Sequence, residues 1–211
     1  MHVKEENIFS ALARADKEFE EGSVGAGRGM SCYQLKGGIG SASRVFTIGG
    51  EKFVLGVLVL SNFGEKGDLV IDGLKVGRKI VEVESSLKEK EQGSIIVIIS
   101  TDIPMTERQL KRVCRRASVG ITRTGAYIGN GSGEIALAFT TANRFSHYED
   151  RAVCPIGMFN ENHINVVFRG VVEATEEAVL NSMICAETTI GRDGNIRRSL
   201  KEYESFFVCS D

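Results

Sequence analysis

The amino-acid sequence predicts an α+β or layered α/β fold, and three observations support this class. Short apolar segments of strand length are mixed with amphipathic helices without a strict βαβ repeat. Hydrophobic residues make up 42% and charged residues 26% of the 211 residues, which is ordinary globular usage and enough for a sizeable core. Glycine accounts for 24 residues, mostly in two clusters that predict tight loops. We therefore expect a single domain over residues 1–211.

The N-terminal half is predicted to contain one helix and one strand. Apolar residues recur at helical spacing over residues 3–20, which predicts an amphipathic helix that packs one face inward and ends at Gly22. Residues 22–50 hold nine glycines and are interpreted as loops, whereas residues 52–61 predict a buried strand. Residues 64–93 accumulate charge and predict an exposed, mobile connection. The apolar positions of the helix are Ile8, Leu12, Ala15 and Phe19.

The C-terminal half is predicted to add three strands and two helices. Asp102 and Pro104 are a suitable cap and first-turn pair for a basic amphipathic helix. The last helix is expected to end at a turn over residues 191–194, where two glycines flank Arg-Asp. The predicted strands are 94–100, 134–140 and 164–168, and the predicted helices are 105–117 and 173–188.

Charge and hydropathy exclude several classes of partner. The 26 basic and 28 acidic residues give a formal net charge of -2, so no basic footprint for nucleic acid or an anionic membrane is present. The longest apolar run, residues 53–60, is far shorter than the roughly 20 residues of a membrane helix. The N-terminus shows no secretory signal, and five scattered cysteines are typical of reduced thiols. We expect a cytoplasmic protein without nucleic-acid or membrane partners.

No cofactor and no metal site is expected from the motifs. The loops GAGRGM and GGIGSAS do not match the dinucleotide spacing GxGxxG, and no GxxxxGK[ST] motif occurs. The three histidines are far apart and show no metal-ligand spacing. The segment GNGSGE around Ser132 also departs from the GxSxG pattern of serine hydrolases that use a histidine.

The junction between Gly93 and Ser94 is open to two interpretations. A serine that follows a glycine and opens a strand is usually a loop end. Alternatively, the Ser94 hydroxyl attacks the Gly93 carbonyl in a strained loop, the resulting ester hydrolyses, and Ser94 becomes a new N-terminus. Its α-amine, with a reference pKa of about 7.7 to 8.0, would then be a suitable base for its own hydroxyl.

Several long segments resemble one family of enzymes in their order and spacing. The chain resembles the L-aminopeptidase D-amidase/D-esterase family, which includes the β-aminopeptidases, over nearly all of residues 22–194. The segments are GSVGAGRGMSCYQLKGGIGSASR (22–44), GVLVLSNFG (56–64), the junction at 93–94, STDIPMTERQLKRVCRRASVGITRTG (100–125), NGSGEIALAFTTAN (130–143) and ETTIGRDG (187–194).

This resemblance implies a layered αββα sandwich and a precursor that cuts itself into the pieces 1–93 and 94–211. Ser94 would be the nucleophile that forms an acyl-enzyme. Asn62 matches the asparagine that donates to the oxyanion, and Ser132 and Glu134 match a serine and an acidic partner near the nucleophile. A carboxylate beside the Ser94 ammonium would orient it and raise its pKa. Because Ser132 and Glu134 are two residues apart, an extended strand would place both on one side.

The chain differs from this family at its N-terminus. Family members carry a long upstream segment that contributes a tyrosine to the oxyanion site and an acidic residue that binds the substrate's free amino group. The sequence starts after the position of both, and none of its four tyrosines matches that role. The polypeptide is therefore expected to be a fragment, to receive this layer from another chain, or to be a truncated relative with altered activity.

The resulting functional hypothesis is an autoprocessing aminopeptidase or amidase that acts on short peptides, amino acid amides or esters. Two alternatives remain. One is an acyltransferase of the ornithine acetyltransferase kind, in which an amine captures the acyl-enzyme in place of water. The other is a non-catalytic or partner-dependent subunit with a structural role. The family resemblance also implies a homo-oligomer, with a tetramer as one possibility.

Overall fold

A computed structural model describes residues 3–84 and 93–207 as a mixed α+β structure. Its long strands form one central sheet, and two long helices pack on it. The helices are α1 (Glu5–Ala13), α2 (Val76–Glu84), α3 (Glu107–Arg123) and α4 (Ile164–Ile184). The strands are β1 (Ser31–Cys32), β2 (Leu35–Lys36), β3 (Ile39–Ile48), β4 (Glu51–Asn62), β5 (Gly93–Thr101), β6 (Ser132–Thr140), β7 (Thr189–Ile190) and β8 (Ile196–Arg197).

The central sheet has the order β3-β4-β5-β6. The β3–β4 and β4–β5 pairs are antiparallel, and β5 and β6 are parallel. The register places Ser94 between Asn62 on one neighbour and Gly133 on the other. The short pairs β1–β2 and β7–β8 form two separate hairpins. The predicted cleavage junction therefore lies at the start of a central strand, with a partner on each side.

One face of the sheet is closed by α3 and α4, and the hydrophobic core lies between these layers. Gly40 lets α4 approach closely, because a Cβ there would lie 2.1 Å from the Ala178 carbonyl oxygen. Each fully buried aliphatic side chain contributes about 1.5 to 3 kcal/mol relative to an exposed one. The core side chains of β4 and β5 are Leu55, Val57, Val59, Ile95, Val97 and Ile99, each at most 2% exposed.

The opposite face of the sheet is open and apolar. Alternate residues of the same strands point to it, as the period of two along a strand requires. Ile135 is 63% exposed and Leu137 58%, although both belong to a central-sheet strand. We call this surface the open face; its most exposed apolar residues are Val45, Val54, Ile96, Ile135, Leu137 and Phe139. Such a patch on a sheet marks an interaction surface.

Several predicted elements are confirmed. The strands predicted at 52–61, 94–100 and 134–140 correspond to β4, β5 and β6, and the helix predicted at 105–117 corresponds to the longer α3. The predicted cap and first-turn pair, Asp102 and Pro104, is wrong, because Asp102 Oδ1 accepts from the Val54 amide of β4. Thr106 instead caps α3 by accepting a hydrogen bond from the Gln109 backbone amide, so the helix begins later than predicted.

The loop interpretation of residues 22–50 is wrong for β3. This ten-residue strand forms a hairpin with β4 through Gly49 and Gly50, both at positive φ. Paired glycines suit such a tight turn because they carry no Cβ. The prediction failed because the glycine content of the segment concealed the alternation of its second half.

The strand predicted at 164–168 is also wrong, because these residues form the first turns of α4. Short β-branched runs cannot be assigned to strand or helix by periodicity alone. Packing decides here, since Val167, Phe168 and Val171 are buried against the core as part of one 21-residue helix. The helix predicted at 173–188 is the remainder of α4 and ends earlier, at Ile184.

Two N-terminal expectations are corrected. The first helix ends at Ala13 and buries none of its residues, so its apolar face does not pack inward; Ile8 is 58% and Leu12 71% exposed. Within the connection predicted over 64–93, α2 forms and buries Val76 and Ile80. Residues 85–92 of that connection lie outside the described part of the chain.

Candidate active site

The Gly93–Ser94 junction opens β5, in the middle of the sheet. Gly93 has a φ of +154°, and a Cβ at this position would lie 2.0 Å from the Asn62 carbonyl oxygen. No side chain fits there without a shift of β4. The Gly93 amide donates to the Gly131 carbonyl at 3.4 Å, a long contact. The main chain of β4 therefore requires glycine before the serine.

The Ser94 side chain lies on the open face and is exposed. Its hydroxyl oxygen is directed toward Gly133 of β6, where a Cβ would be 3.6 Å from it, an ordinary contact distance. Because Gly133 has no side chain, space remains beside the hydroxyl for a reacting group. The hydroxyl thus lies next to the junction that it would attack, with one side accessible.

Asn62, at the end of β4, lies directly opposite Ser94 in the register and points to the same face. Its side-chain oxygen Oδ1 accepts a hydrogen bond from the Ser31 backbone amide at 3.0 Å. Because the Oδ1 atom of Asn62 faces the Ser31 N–H, the Nδ2 donor of the same side chain points away from Ser31. There it faces Gly93, at 3.2 Å from where a Cβ would stand. The arrangement presents an N–H donor to the junction.

Ser132 and Glu134 lie on β6, on the same side of the sheet. That side is the helical one, since Ser132 pairs with Gly93 and Glu134 with the core residue Ile95. The Ser94 hydroxyl points to the opposite side, and within residues 3–84 and 93–207 no hydrogen bond joins it to either residue. The main-chain nitrogen of Ser94, however, lies in the plane of the sheet, between its two faces. The placement therefore favours contacts to a Ser94 amine over contacts to its hydroxyl.

Three contributions to this site were missed by the sequence reasoning. The Ser31 amide orients Asn62, the Gly131 carbonyl accepts from Gly93, and Gly133 leaves room beside Ser94. The first two are hydrogen-bonding groups of the main chain. Nearly every residue type carries such groups, so the sequence does not indicate them. Gly133 belongs to the NGSGE segment, and its position between Ser132 and Glu134 was the only indication that the sequence offered.

Four other nucleophiles or bases of the described chain, two histidines, a cysteine and a tyrosine, are less suitable for chemistry at the junction. His147 and His163 come after β6, whose C-terminal end at Thr140 lies eight residues, or about 26 Å at 3.3 Å per residue, from Ser132. Burial raises the pKa of Cys32 to about 12, so its thiol stays protonated at neutral pH. Tyr33 is also buried, and its hydroxyl is bonded to Thr124 at 2.7 Å.

Residues 3–84 and 93–207 show neither a metal cluster nor a membrane helix. No group of three or more histidine, cysteine or acidic side chains is arranged there to hold a metal ion. None of the helices in these ranges combines the length and the apolar character that crossing a membrane requires.

Comparison with known proteins identifies the family. The model of peptidase family S58 matches residues 1–197. The chain belongs to peptidase family S58. This result confirms the resemblance drawn from the sequence segments, and the match spans the junction, Asn62, Ser132 and Glu134.

Two curated relatives of this S58 chain are β-peptidyl aminopeptidases named BapA. The protein of Sphingosinicella xenopeptidilytica is 38% identical over 199 residues, which cover 88% of this chain and 50% of the relative. That of Sphingosinicella microcystinivorans is 35% identical over 225 aligned positions, which cover 96% of this chain and 57% of the relative. The chain therefore spans about half the length of the curated relatives it matches.

Solved structures agree in fold. The PH0078 protein of Pyrococcus horikoshii OT3 superposes with a TM-score of 0.88 at 50% identity, over 97% of this chain and 56% of that one. The L-aminopeptidase D-Ala-esterase/amidase of Ochrobactrum anthropi, described as a variant of the Ntn-hydrolase fold, gives 0.85 at 37% identity, over 97% and 59%. A Burkholderia β-aminopeptidase gives 0.83 at 32% identity, over 99% and 61%. These matches confirm the predicted fold class.

Proposed function

We propose that this S58 chain carries the autoprocessing centre of an N-terminal-serine aminopeptidase that acts on short peptides, amino acid amides or esters. The observation that carries the proposal is the junction itself. Gly93 is forced against β4, the Ser94 hydroxyl lies beside it, and the Asn62 amide faces it. The activities of the characterised relatives, which are aminopeptidases and an esterase/amidase, favour the same reaction class.

The first step is self-cleavage. The Ser94 Oγ attacks the Gly93 carbonyl carbon, and Asn62 Nδ2 donates to the oxyanion that develops on the carbonyl oxygen. The C–N bond breaks as the proton lost by the Ser94 hydroxyl passes to the Ser94 nitrogen, which leaves an ester between Gly93 and Ser94. Water hydrolyses that ester to a Gly93 carboxylate and a free Ser94 hydroxyl. The products are the pieces 1–93 and 94–211, with Ser94 as an N-terminal residue.

The same atoms then serve the substrate reaction. The new Ser94 amine accepts the proton of its own hydroxyl, the hydroxyl oxygen attacks the substrate carbonyl, and Asn62 donates to the oxyanion. The protonated amine gives its proton to the leaving nitrogen, and water resolves the acyl-enzyme. Ser132 and Glu134 flank the main chain at this point, so we assign them to the orientation of the amine and the stabilisation of its charged form.

The open face is proposed to be covered by a second layer in the active enzyme. The chain spans 50% to 61% of the relatives it matches, and the remaining part of those proteins is long enough to form another sheet. Covering the open face would bury the exposed apolar side chains of β4, β5 and β6 and would enclose Ser94 and Asn62. We further propose a homo-oligomeric, cytoplasmic enzyme; the four described cysteines are all free thiols, which supports the location.

Intact mass is the measurement that tests self-cleavage. The native protein is expected as two associated pieces of 93 and 118 residues (211 minus 93), whereas Ser94→Ala should remain one chain of 23.0 kDa. Ser100→Ala is the matched control, because Ser100 lies on the same strand and faces the same side; this variant should still be cut. An uncut native chain, or cleavage that persists in Ser94→Ala, would contradict the proposal.

A further inference from the structure

A cationic pocket lies beside the proposed active site. Its volume is about 360 Å³, within the range of small-molecule sites. Ser31 connects the two, since it lines the pocket and also donates its backbone amide to Asn62 Oδ1. The other polar residues of the wall are Arg28, Lys36, Thr189, Arg192, Asn195 and Arg197. We call this cavity the arginine pocket; four of its lining residues are basic, and none is acidic.

Lys36 is a buried cation whose protons all have hydrogen-bond acceptors, but its positive charge is not paired with a carboxylate of the described residues. The residue is 2% exposed, and its ammonium donates to the carbonyl oxygens of Gly27, Met30 and Gly37 at 2.9, 2.8 and 2.7 Å. These three bonds use all of its protons. No carboxylate of the described residues forms an ion pair with it. Burial accordingly lowers the pKa of Lys36, and an anion bound in the pocket would offset that cost.

Two exposed arginines of the pocket, Arg28 and Arg192, are available to a ligand. Arg28 is exposed and forms no hydrogen bond or ion pair with the described residues. Arg192 pairs with Asp193 at 3.3 Å, but both side chains are at least 86% exposed, and such surface pairs are weak. A guanidinium can instead bind a carboxylate through two parallel hydrogen bonds. The pocket thus combines an uncompensated buried charge with accessible bidentate donors.

We propose that the arginine pocket binds the C-terminal carboxylate of a short peptide substrate, on the leaving-group side of Ser94. This assignment rests on the proposed function. A short peptide with a free amino group carries one obligatory anion, the carboxylate of its last residue. A cluster of cations repels the substrate's ammonium group, so the pocket cannot hold the amino end. The expected substrates are therefore peptides of two or three residues with a free C-terminus, preferred over their neutral C-terminal amides.

Binding of an inert ligand tests the pocket without any need for turnover. N-acetyl-alanyl-alanine has a free carboxylate but no free amine for an aminopeptidase to act on, and N-acetyl-alanyl-alanine amide is its neutral counterpart. Calorimetric titration of the full-length protein should show the acid binding at least about tenfold more tightly than the amide. The preference should shrink with added salt, since the mouth of the pocket is open to solvent.

Two variants and one matched control assign the preference to the pocket. Arg28→Ala and Arg192→Ala should each reduce the acid-to-amide ratio of affinities by about threefold to tenfold, and the double variant should abolish it. Both side chains are exposed, so the fold should be retained, which melting curves would verify. Arg115→Ala, an exposed arginine on α3, should leave the ratio unchanged. Equal binding of acid and amide, or binding of neither, would overturn the proposal.

Hydrolysis of L-alanine p-nitroanilide, which has no carboxylate, separates the two proposals. A protein that hydrolyses this compound but binds the acid and the amide equally retains the proposed function and loses the arginine-pocket assignment. A protein that binds the acid selectively but hydrolyses neither the p-nitroanilide nor alanyl-alanine contradicts the proposed function. In that case the proposal that the arginine pocket holds the carboxylate of the leaving group is overturned as well.

Discussion

The same strands form both faces of the central sheet, but the two faces differ in the exposure and the polarity of their side chains. Toward α3 and α4, side chains such as Val97 and Ile99 are fully buried. Toward the open face, Ile135 and Leu137 remain more than half exposed, and the polar residues Asn62 and Ser94 stand at the end of the same surface. The helical face thus stabilises the sheet, whereas the open face presents the residues proposed to react.

This contrast shows how one sheet can be both rigid and reactive. A closed core fixes the register of β4, β5 and β6, and the register alone brings Asn62, Ser94 and Gly133 into line. The groups proposed to react then project away from the core, into space that the proposed second layer would enclose. Stability and activity should therefore respond to different substitutions, which gives three further tests.

The largest stability difference is expected between two isoleucines of neighbouring strands. Ile99→Ala removes a fully buried side chain of the helical face and should lower the free energy of unfolding by about 2 to 5 kcal/mol. Ile135→Ala makes the same chemical change at a side chain that is 63% exposed and should cost about 0.5 kcal/mol or less. Urea unfolding measures both. Similar losses for the two variants would show that the open face is covered in the isolated protein.

The next largest effect should come from Asn62, the proposed donor to the oxyanion. Asn62→Asp retains the Oδ1 acceptor for Ser31 but replaces the Nδ2 donor with an oxygen. We expect kcat for L-alanine p-nitroanilide to fall about 10²-fold to 10³-fold. Asn143→Asp, a similar change in a loop beyond the far end of β6, should leave kcat unchanged. An unaltered kcat in Asn62→Asp would remove Asn62 from the mechanism.

The smallest effect concerns a carboxylate at the end of α2, remote from both faces. Glu84 is bound by Lys66 at 2.5 Å and by the Tyr203 hydroxyl. Burial, the largest single influence, raises the pKa of Glu84, but the two hydrogen bonds together with the positive charges of Lys66 and Arg198 outweigh it and lower the pKa below the usual range. The stabilising contribution of ionised Glu84 to the free energy of unfolding is therefore present above a pH of about 4.5. It is lost as the pH falls through the lowered pKa of Glu84 in the folded protein.

Glu84→Gln should consequently reduce the free energy of unfolding by about 1 to 2 kcal/mol at pH 7. The difference from the native protein should shrink when both are measured in more acidic buffer, below about pH 4. Glu107→Gln is the control, because Glu107 forms an exposed ion pair with Lys111 and should change stability little at either pH. A difference that is independent of pH would show that Glu84 acts by packing and not by its charge.

Much of the fold could be predicted because its strands and helices carry strong local patterns. The runs that became β4, β5 and β6 are apolar and β-branched, and α3 has a cap and a clear amphipathic period. The failures occurred where the local pattern was ambiguous. The β-branched start of α4 became helical because only a long helix buries Val167 and Val171 together against the sheet. Likewise, β3 forms because it can pair with β4 along ten residues.

The candidate active site could likewise be predicted only in part. The sequence by itself determined the residue types at the junction, a glycine before a serine, and the segments that identify the family. Only the tertiary structure decided which groups meet there. The Ser31 amide that orients Asn62 and the arginine pocket beside it are brought together by strand pairing and by hairpins distant in the sequence. Main-chain donors and shared cavities depend on register and packing, which no local pattern of side chains specifies.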